Sequence, residues 1–224
     1  MSRTLARPIT YLITGGETSS ATRPGSEEFR RLLALVRAAA RARVTLVQLR
    51  EKSLTGRVLL ELASAAAQMT RGSETRILVN DRADIARAAG CDGVHLTTNS
   101  LEASVVRRAF GAEFVIGVSA HTLEEAHAAR DGGADFAVFG PVFDTPSKRA
   151  YGPPVGLEAL TKAARALSNF PLVALGGVGE DEVGRVLRAG AAGVAGIRLF
   201  ANGQNLARIV HHIGRAHDAG GRDE

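Results

Sequence analysis

The sequence predicts a single (β/α)8 barrel, a TIM barrel, occupying residues 1–224 as one domain, and three observations point to it. Eight short apolar runs alternate with eight longer amphipathic, Ala-rich segments. The runs are rich in Val, Ile and Leu without a polar alternation, as strands buried on both faces of a parallel sheet are. Lastly, a helix end, a Gly turn and a strand recur in the phrases "AGCDGVHL", "GGADFAVFG" and "AGAAGVAGI". Glycine suits such junctions because helix ends often adopt a left-handed conformation. Eight strand–helix pairs with no obvious linker match the barrel's usual build. The alternative, a doubly wound open sheet, asks for a Gly-rich fingerprint after the first strand, and Gly15-Gly16-Glu17 does not supply one.

In chain order, "ITYLIT" (9–14) is the first strand and 27–42 the first helix. The second strand is "VTLVQL" (44–49), followed by a helix over 56–70 whose Leu59, Leu60, Leu62 and Ala63 fall at helical spacing. "RILV" (76–79) leads into a helix over 83–89, and "GVHL" (93–96) into one over 101–110. "FVIGV" (114–118) precedes a helix over 122–131, and "DFAVF" (135–139) precedes a long loop and a helix over 156–167. "PLVAL" (171–175) and "GVAGI" (193–197) close the set, with helices over 180–189 and 205–215.

Composition narrows the function. Apolar residues make up 45% and charged residues 23%, as in ordinary globular proteins. The formal charge is +5 and the pI about 10.1, but the Arg residues are spread along helix-like segments as a solvated basic surface. Two Tyr, no Trp and no cluster of five or more basic residues argue against nucleic-acid binding. Scattered Arg and Lys suit anionic small molecules better. Cys91 is the sole cysteine, so no intrachain disulfide forms and a reducing compartment is expected. The N-terminal "MSRTLARPITYLIT" lacks a signal core, and no run approaches the roughly 18 apolar residues of a membrane span. A soluble cytoplasmic protein with no membrane partner is expected; a homo-oligomer is compatible with the sequence.

In such a barrel the chemistry sits at the C-terminal ends of the strands and in the loops that follow. After the second strand, alternation puts Gln48, Arg50 and Lys52 on one side, where a guanidinium fork and an ammonium suit a diphosphate. The competing reading is a charged exit from a strand. After the third come Asn80 and Asp81; Asp81 can coordinate Mg²⁺, which takes oxygen ligands and keeps waters, or either residue can simply cap the next helix. After the fifth, Ser119 and His121 place a hydroxyl and an imidazole at the rim, although a lone His is more often a surface or capping group. The long polar loop from Gly140 to Pro154 carries Thr145, Ser147 and Lys148, a set able to close on phosphate. Gly turns follow the last two strands, at Gly176-Gly177 and at Gly196-Ile197-Arg198, and backbone amides at these places bind phosphate in many barrels. His95, at the end of the fourth strand, reads as a packed or hydrogen-bonded core residue.

Taken in order, "VQLREK", "NDRADIA", "GVHL", "GVSAHTLEEA", "FGPVFDTPSK" and "ALGGV" resemble the thiamine-phosphate synthase family, which includes the TenI-type thiazole tautomerases. The likeness runs from Tyr11 to about Phe200. It implies an enzyme of thiamine biosynthesis, a transferase joining 4-amino-2-methyl-5-pyrimidinylmethyl diphosphate to a thiazole phosphate. It implies that Gln48, Arg50, Lys52 and Asn80 grip the diphosphate, that Asp81 binds Mg²⁺, and that Ser119 and Lys148 hold the leaving group. Gly177, Gly196, Ile197 and Arg198 would then seat the thiazole phosphate, and His121 would transfer a proton only in a tautomerase. Two departures stand out. Synthases usually carry a second acidic Mg²⁺ ligand a few residues after "GVHL", where this chain has Thr97-Thr98-Asn99-Ser100, and Arg198 replaces a small hydroxyl residue. Since Lys52 and Asp81 are kept, the synthase is the expectation, with one acid holding the metal weakly. The tautomerase and a non-catalytic binder of thiamine intermediates are the alternatives.

Overall fold

Eight parallel strands pair in chain order and close on themselves, β8 returning to β1. The computed structural model describes residues 5–145 and 153–220. The strands are β1 (Ile9–Ile13), β2 (Leu46–Leu49), β3 (Arg76–Asn80), β4 (Gly93–Leu96), β5 (Val115–Ala120), β6 (Phe136–Phe139), β7 (Leu172–Ala174) and β8 (Gly193–Gly196). The helices around them are α1 (Glu27–Arg41), α2 (Gly56–Thr70), α3 (Ala83–Ala88), α4 (Ala103–Phe110), α5 (Leu123–Asp131), α6 (Gly156–Ala166), α7 (Glu180–Arg188) and α8 (Leu206–Gly220). No helix among the described residues is long and apolar enough to cross a membrane.

Alternation along each strand sorts the side chains into two cores. Ile9, Tyr11 and Ile13 of β1 pack inside the barrel with Leu46, Leu78, Val115, Phe136 and Val173. Their neighbours Leu12, Val47, Val79, Ile116 and Phe139 face outward against the helices. The expected ends move where hydrogen bonds decide them. Thr122 accepts from the Glu125 amide at 3.2 Å, so it caps α5 instead of opening it. β5 continues to Ala120, which brings Ser119 onto the strand. Helix α4 starts only at Ala103, and Leu101 before it is 62% exposed.

The recurring Gly turns have one structure: Gly90, Gly133 and Gly190 all take positive φ, between 70° and 95°. In two copies the Asp that follows is a fastener between strands at the bottom of the barrel. Asp92 accepts from the Ile77 amide at 2.7 Å and Asp135 from the Ile116 amide at 2.8 Å. Arg107 clamps Asp135 at 2.7 Å and also donates to the carbonyls of Gly111 and Phe114. The third copy has Ala192 there.

Candidate active site

At the mouth of the barrel the interior column ends in polar groups. The Gln48 side chain, 1% exposed, donates from Nε2 to the Tyr11 hydroxyl at 3.0 Å. Burial raises the Tyr11 pKa well above the usual phenol value, against the smaller lowering effect of Gln48, so the phenol stays neutral. Next to it stands His95, 3% exposed, whose ring centroid is 5.7 Å from Tyr11 and 6.3 Å from Phe136. Its Nε2 lies 3.0 Å from Ser119 Oγ, and its Nδ1 is buried with no hydrogen-bond partner. Gly117 makes room for this group: a Cβ there would come within 2.4 Å of the Phe136 ring and 2.8 Å of His95 Nδ1.

Asn80 ends β3 and Asp81 follows it with φ +59°. That left-handed turn aims the carboxylate across to the loop after β4 and away from α3. Oδ1 accepts from the Thr97 amide at 3.2 Å, from Thr97 Oγ1 at 3.0 Å and from the Ser100 hydroxyl; Oδ2 accepts from Asn80 Nδ2 at 2.6 Å. Burial alone would raise the Asp81 pKa, but the hydrogen bonds from Ser100, Thr97 and Asn80 outweigh it and hold the carboxyl below the usual range. Capping is therefore not its role. The N-cap of α3 is Arg82, with no side-chain cap bond.

The expected trio after β2 divides by depth. Gln48 lies in the floor, Arg50 is half-buried beyond the strand end, and Lys52 is exposed. Arg50 reaches the floor electrostatically, since its charge and that of Asp81 both act on His95. Between them Glu51, only 3% exposed, turns back to the loop after β1 and accepts from Thr18 Oγ1 at 2.7 Å and from the Gly16 amide at 3.2 Å. Sequence reasoning passed over Glu51 and Tyr11. Tyr11 carries a signal, sharing the inward parity of Ile9 and Ile13; Glu51 carries none, because its partners are 33 and 35 residues away.

On the other side of the mouth, Ser119 and His121 line a small cavity with Val138, Gly140, Pro141, Leu175 and Gly176. His121 is held to Glu125, whose Oε2 accepts from the His121 amide at 2.6 Å and sits 3.1 Å from Nδ1. The loop after β6 is zipped onto the turn after β7, with the Val142 amide donating to Leu175 O at 2.8 Å and the Phe143 amide to Gly176 O at 2.9 Å. That close approach requires glycine: Gly176 and Gly177 have φ +94° and +66°, and a Cβ on Gly177 would come within 2.7 Å of Phe143 Cβ. Thr145, further along the same loop, is buried. Ser147 and Lys148 lie outside the described residues. Gly196 ends β8; Ile197 and Arg198 are exposed at the start of a 3-10 turn, Arg198–Phe200.

Among the described residues no group of three or more His, Cys, Asp and Glu side chains gathers as a metal cage. The donors around Asp81 are nevertheless all oxygen: its own carboxylate, the Ser100 and Thr97 hydroxyls, and the buried Asn80 Oδ1, which has no hydrogen-bond partner. That set fits Mg²⁺ held by one carboxylate and completed by substrate oxygens and water.

Comparison with known proteins adds the relatives. The profile of the family described as "Thiamine monophosphate synthase" matches residues 11–200. A thiamine-phosphate synthase of Moorella thermoacetica is 42% identical over 181 residues, spanning 81% of this chain and 86% of its own. One from Roseiflexus sp. (strain RS-1) is 40% identical over 188 residues, 84% of this chain and 79% of its own. Among solved structures, thiamine phosphate pyrophosphorylase from Pyrococcus furiosus superposes with a TM-score of 0.72 at 28% identity, covering 92% of this chain and 96% of that one.

Proposed function

This chain belongs to the thiamine monophosphate synthase family, and from that premise we propose that it joins 4-amino-2-methyl-5-pyrimidinylmethyl diphosphate to a thiazole phosphate, releasing pyrophosphate. The observation that carries the reading is the Asp81 carboxylate, which accepts from Ser100, Thr97 and Asn80 at the C-terminal end of the strands, the end where Arg50 and Lys52 follow β2. A fixed negative charge would repel a diphosphate unless a cation bridges them. Asp81 and Asn80 Oδ1 would hold that cation, Mg²⁺, which when bound neutralises charge growing on the leaving diphosphate.

The remaining steps belong to the protein's own groups. The bond from the pyrimidinylmethyl carbon to diphosphate oxygen breaks with its electron pair going to oxygen, and the thiazole nitrogen supplies the pair for the new carbon–nitrogen bond. No protein nucleophile is needed. Arg50, Lys52 and Lys148 act on the departing oxygens as cations and Ser119 as a hydroxyl donor. Gln48, tied to Tyr11, keeps the floor rigid beneath the pyrimidine. Thr145 and the amides of the Gly177 and Gly196–Arg198 turns receive the thiazole phosphate.

The test is incubation with both substrates and Mg²⁺, following thiamine phosphate and pyrophosphate. Formation of both in equal amounts, lost on chelation, is the expected result. A second reading, tautomerisation of thiazole carboxylate phosphate with His121 moving the proton, is favoured by one observation: the position of the usual second acid is a hydroxyl that serves Asp81. Interconversion of the thiazole tautomers with no thiamine phosphate at saturating Mg²⁺ would establish it instead. Phosphate binding with neither turnover would leave a binder of thiamine intermediates.

A further inference from the structure

We infer that His95 is a positioning residue whose Nε2–H holds the Ser119 oxygen as acceptor, so that the Ser119 hydroxyl hydrogen is left to point at an anionic oxygen of the substrate. The inference deepens the synthase reading at one residue and rests on it for the identity of that oxygen, the leaving diphosphate.

The argument is a count of hydrogen bonds around one ring. His95 is 3% exposed and has two ring nitrogens in different surroundings. Nε2 is 3.0 Å from Ser119 Oγ; Nδ1 is buried with no partner, facing the Cα of Gly117, where even a methyl group would come within 2.8 Å. Enclosed this deeply, with a hydroxyl and no carboxylate bonded to it, the ring is neutral and carries one hydrogen. If that hydrogen sat on Nδ1, a buried N–H would face no acceptor, and Ser119 would spend its own hydrogen on Nε2. With the hydrogen on Nε2 only a lone pair goes unmatched, and orphaned buried donors are the rarer case. The tautomer is thus set by the acceptor that Nδ1 lacks and that Ser119 Oγ offers to Nε2. Ser119 is half-buried and opens onto the cavity it shares with His121 and Gly176, so its hydrogen has a route to a bound oxygen. A serine rotor is otherwise free to turn, and fixing its oxygen from below fixes the direction of donation.

The direct test uses the resting protein. With ¹⁵N-labelled histidine at pH 7, the His95 ring resonances are identified among the six histidines by their loss in His95→Gln. Long-range proton–nitrogen correlations should show a protonated Nε2 and a bare Nδ1; a protonated Nδ1 overturns the inference. Kinetics give the second arm. His95→Leu should lower kcat about tenfold with little change in KM for the thiazole phosphate, and His95→Gln, which restores a donor, should recover part of the loss. In a Ser119→Ala background His95→Leu should cost nothing further. A full tenfold loss in that background as well would mean a structural role and overturn the inference. Since the tautomer is read without turnover, an inactive wild type counts against the proposed reaction, whereas the Nδ1–H tautomer counts against this inference alone.

Discussion

Asp81 spends a left-handed backbone conformation, uncommon for a residue with a side chain, to turn its carboxylate toward the loop after β4. Asp81→Asn keeps the tolerance of that conformation but removes the charge and one of the two acceptor oxygens, so coupling should fall by at least a hundredfold at any practical Mg²⁺ concentration, and the thermal midpoint should fall modestly as one of its hydrogen bonds is lost. Lys148→Ala should slow turnover tenfold or more at saturating substrate, since a charged contact is worth about 2 kcal/mol; an unchanged rate rejects that role. His121→Asn should leave coupling intact, because His121 is engaged with Glu125 and the reaction needs no general base. His95 also gives stability a pH dependence. Its folded pKa, near 4, is below the ordinary 6.5, so the unfolded chain binds the extra proton first. Stability is full above about pH 6.5 and declines as pH falls toward 4, by up to about 3 kcal/mol. Urea unfolding across that window should lose this slope in His95→Gln. At this scale the residue types were legible, because strand parity and strand-end position select them. Their partners were not: that Asp81 would take Ser100 and not the α3 amides depends on a backbone turn no pattern encodes.

The element that most constrains the mouth is the turn after β7. Gly177→Ala would force a Cβ to within 2.8 Å of the Asp144 carbonyl oxygen in addition to the Phe143 clash, at φ +66°. The expected cost is about 1–3 kcal/mol in denaturant unfolding, together with a raised KM for the thiazole phosphate as the loop after β6 is pushed off its seat. Strand and helix order could be read from periodicity alone, since buried parallel strands and amphipathic helices write different patterns. Ends were harder. The sequence phrase "GVSAH" gives no mark that β5 should run on through Ser119 to Ala120, because its pairing with Phe139 across β6 decides it. The repeated "CDG" and "ADF" phrases did carry the fasteners Asp92 and Asp135, but their acceptor role shows only when adjacent strands are side by side.

Over the whole molecule, stability and chemistry sit at opposite ends of the barrel. Arg107→Ala should cut the Asp135 clamp, whose partners are 17% and 5% exposed, and lower unfolding free energy by about 2–3 kcal/mol while kcat stays unchanged. A matched fall in kcat would show that the two ends are coupled. The closed barrel itself was legible because eight similar units leave few other arrangements. The same view explains what a hydroxyl at position 100 achieves. A carboxylate there would confront Asp81 at contact distance, and two like charges would hold the loop after β4 open until a cation came between them. With Ser100 donating instead, the loop after β4 is already bonded to Asp81, and on the proposed reading an ion would enter together with the diphosphate as a single cargo. The free protein should therefore melt at the same temperature in chelator and in millimolar Mg²⁺. Ser100→Asp should melt lower in chelator and recover when Mg²⁺ is supplied, trading a scaffold that stands by itself for one that must be loaded to stand.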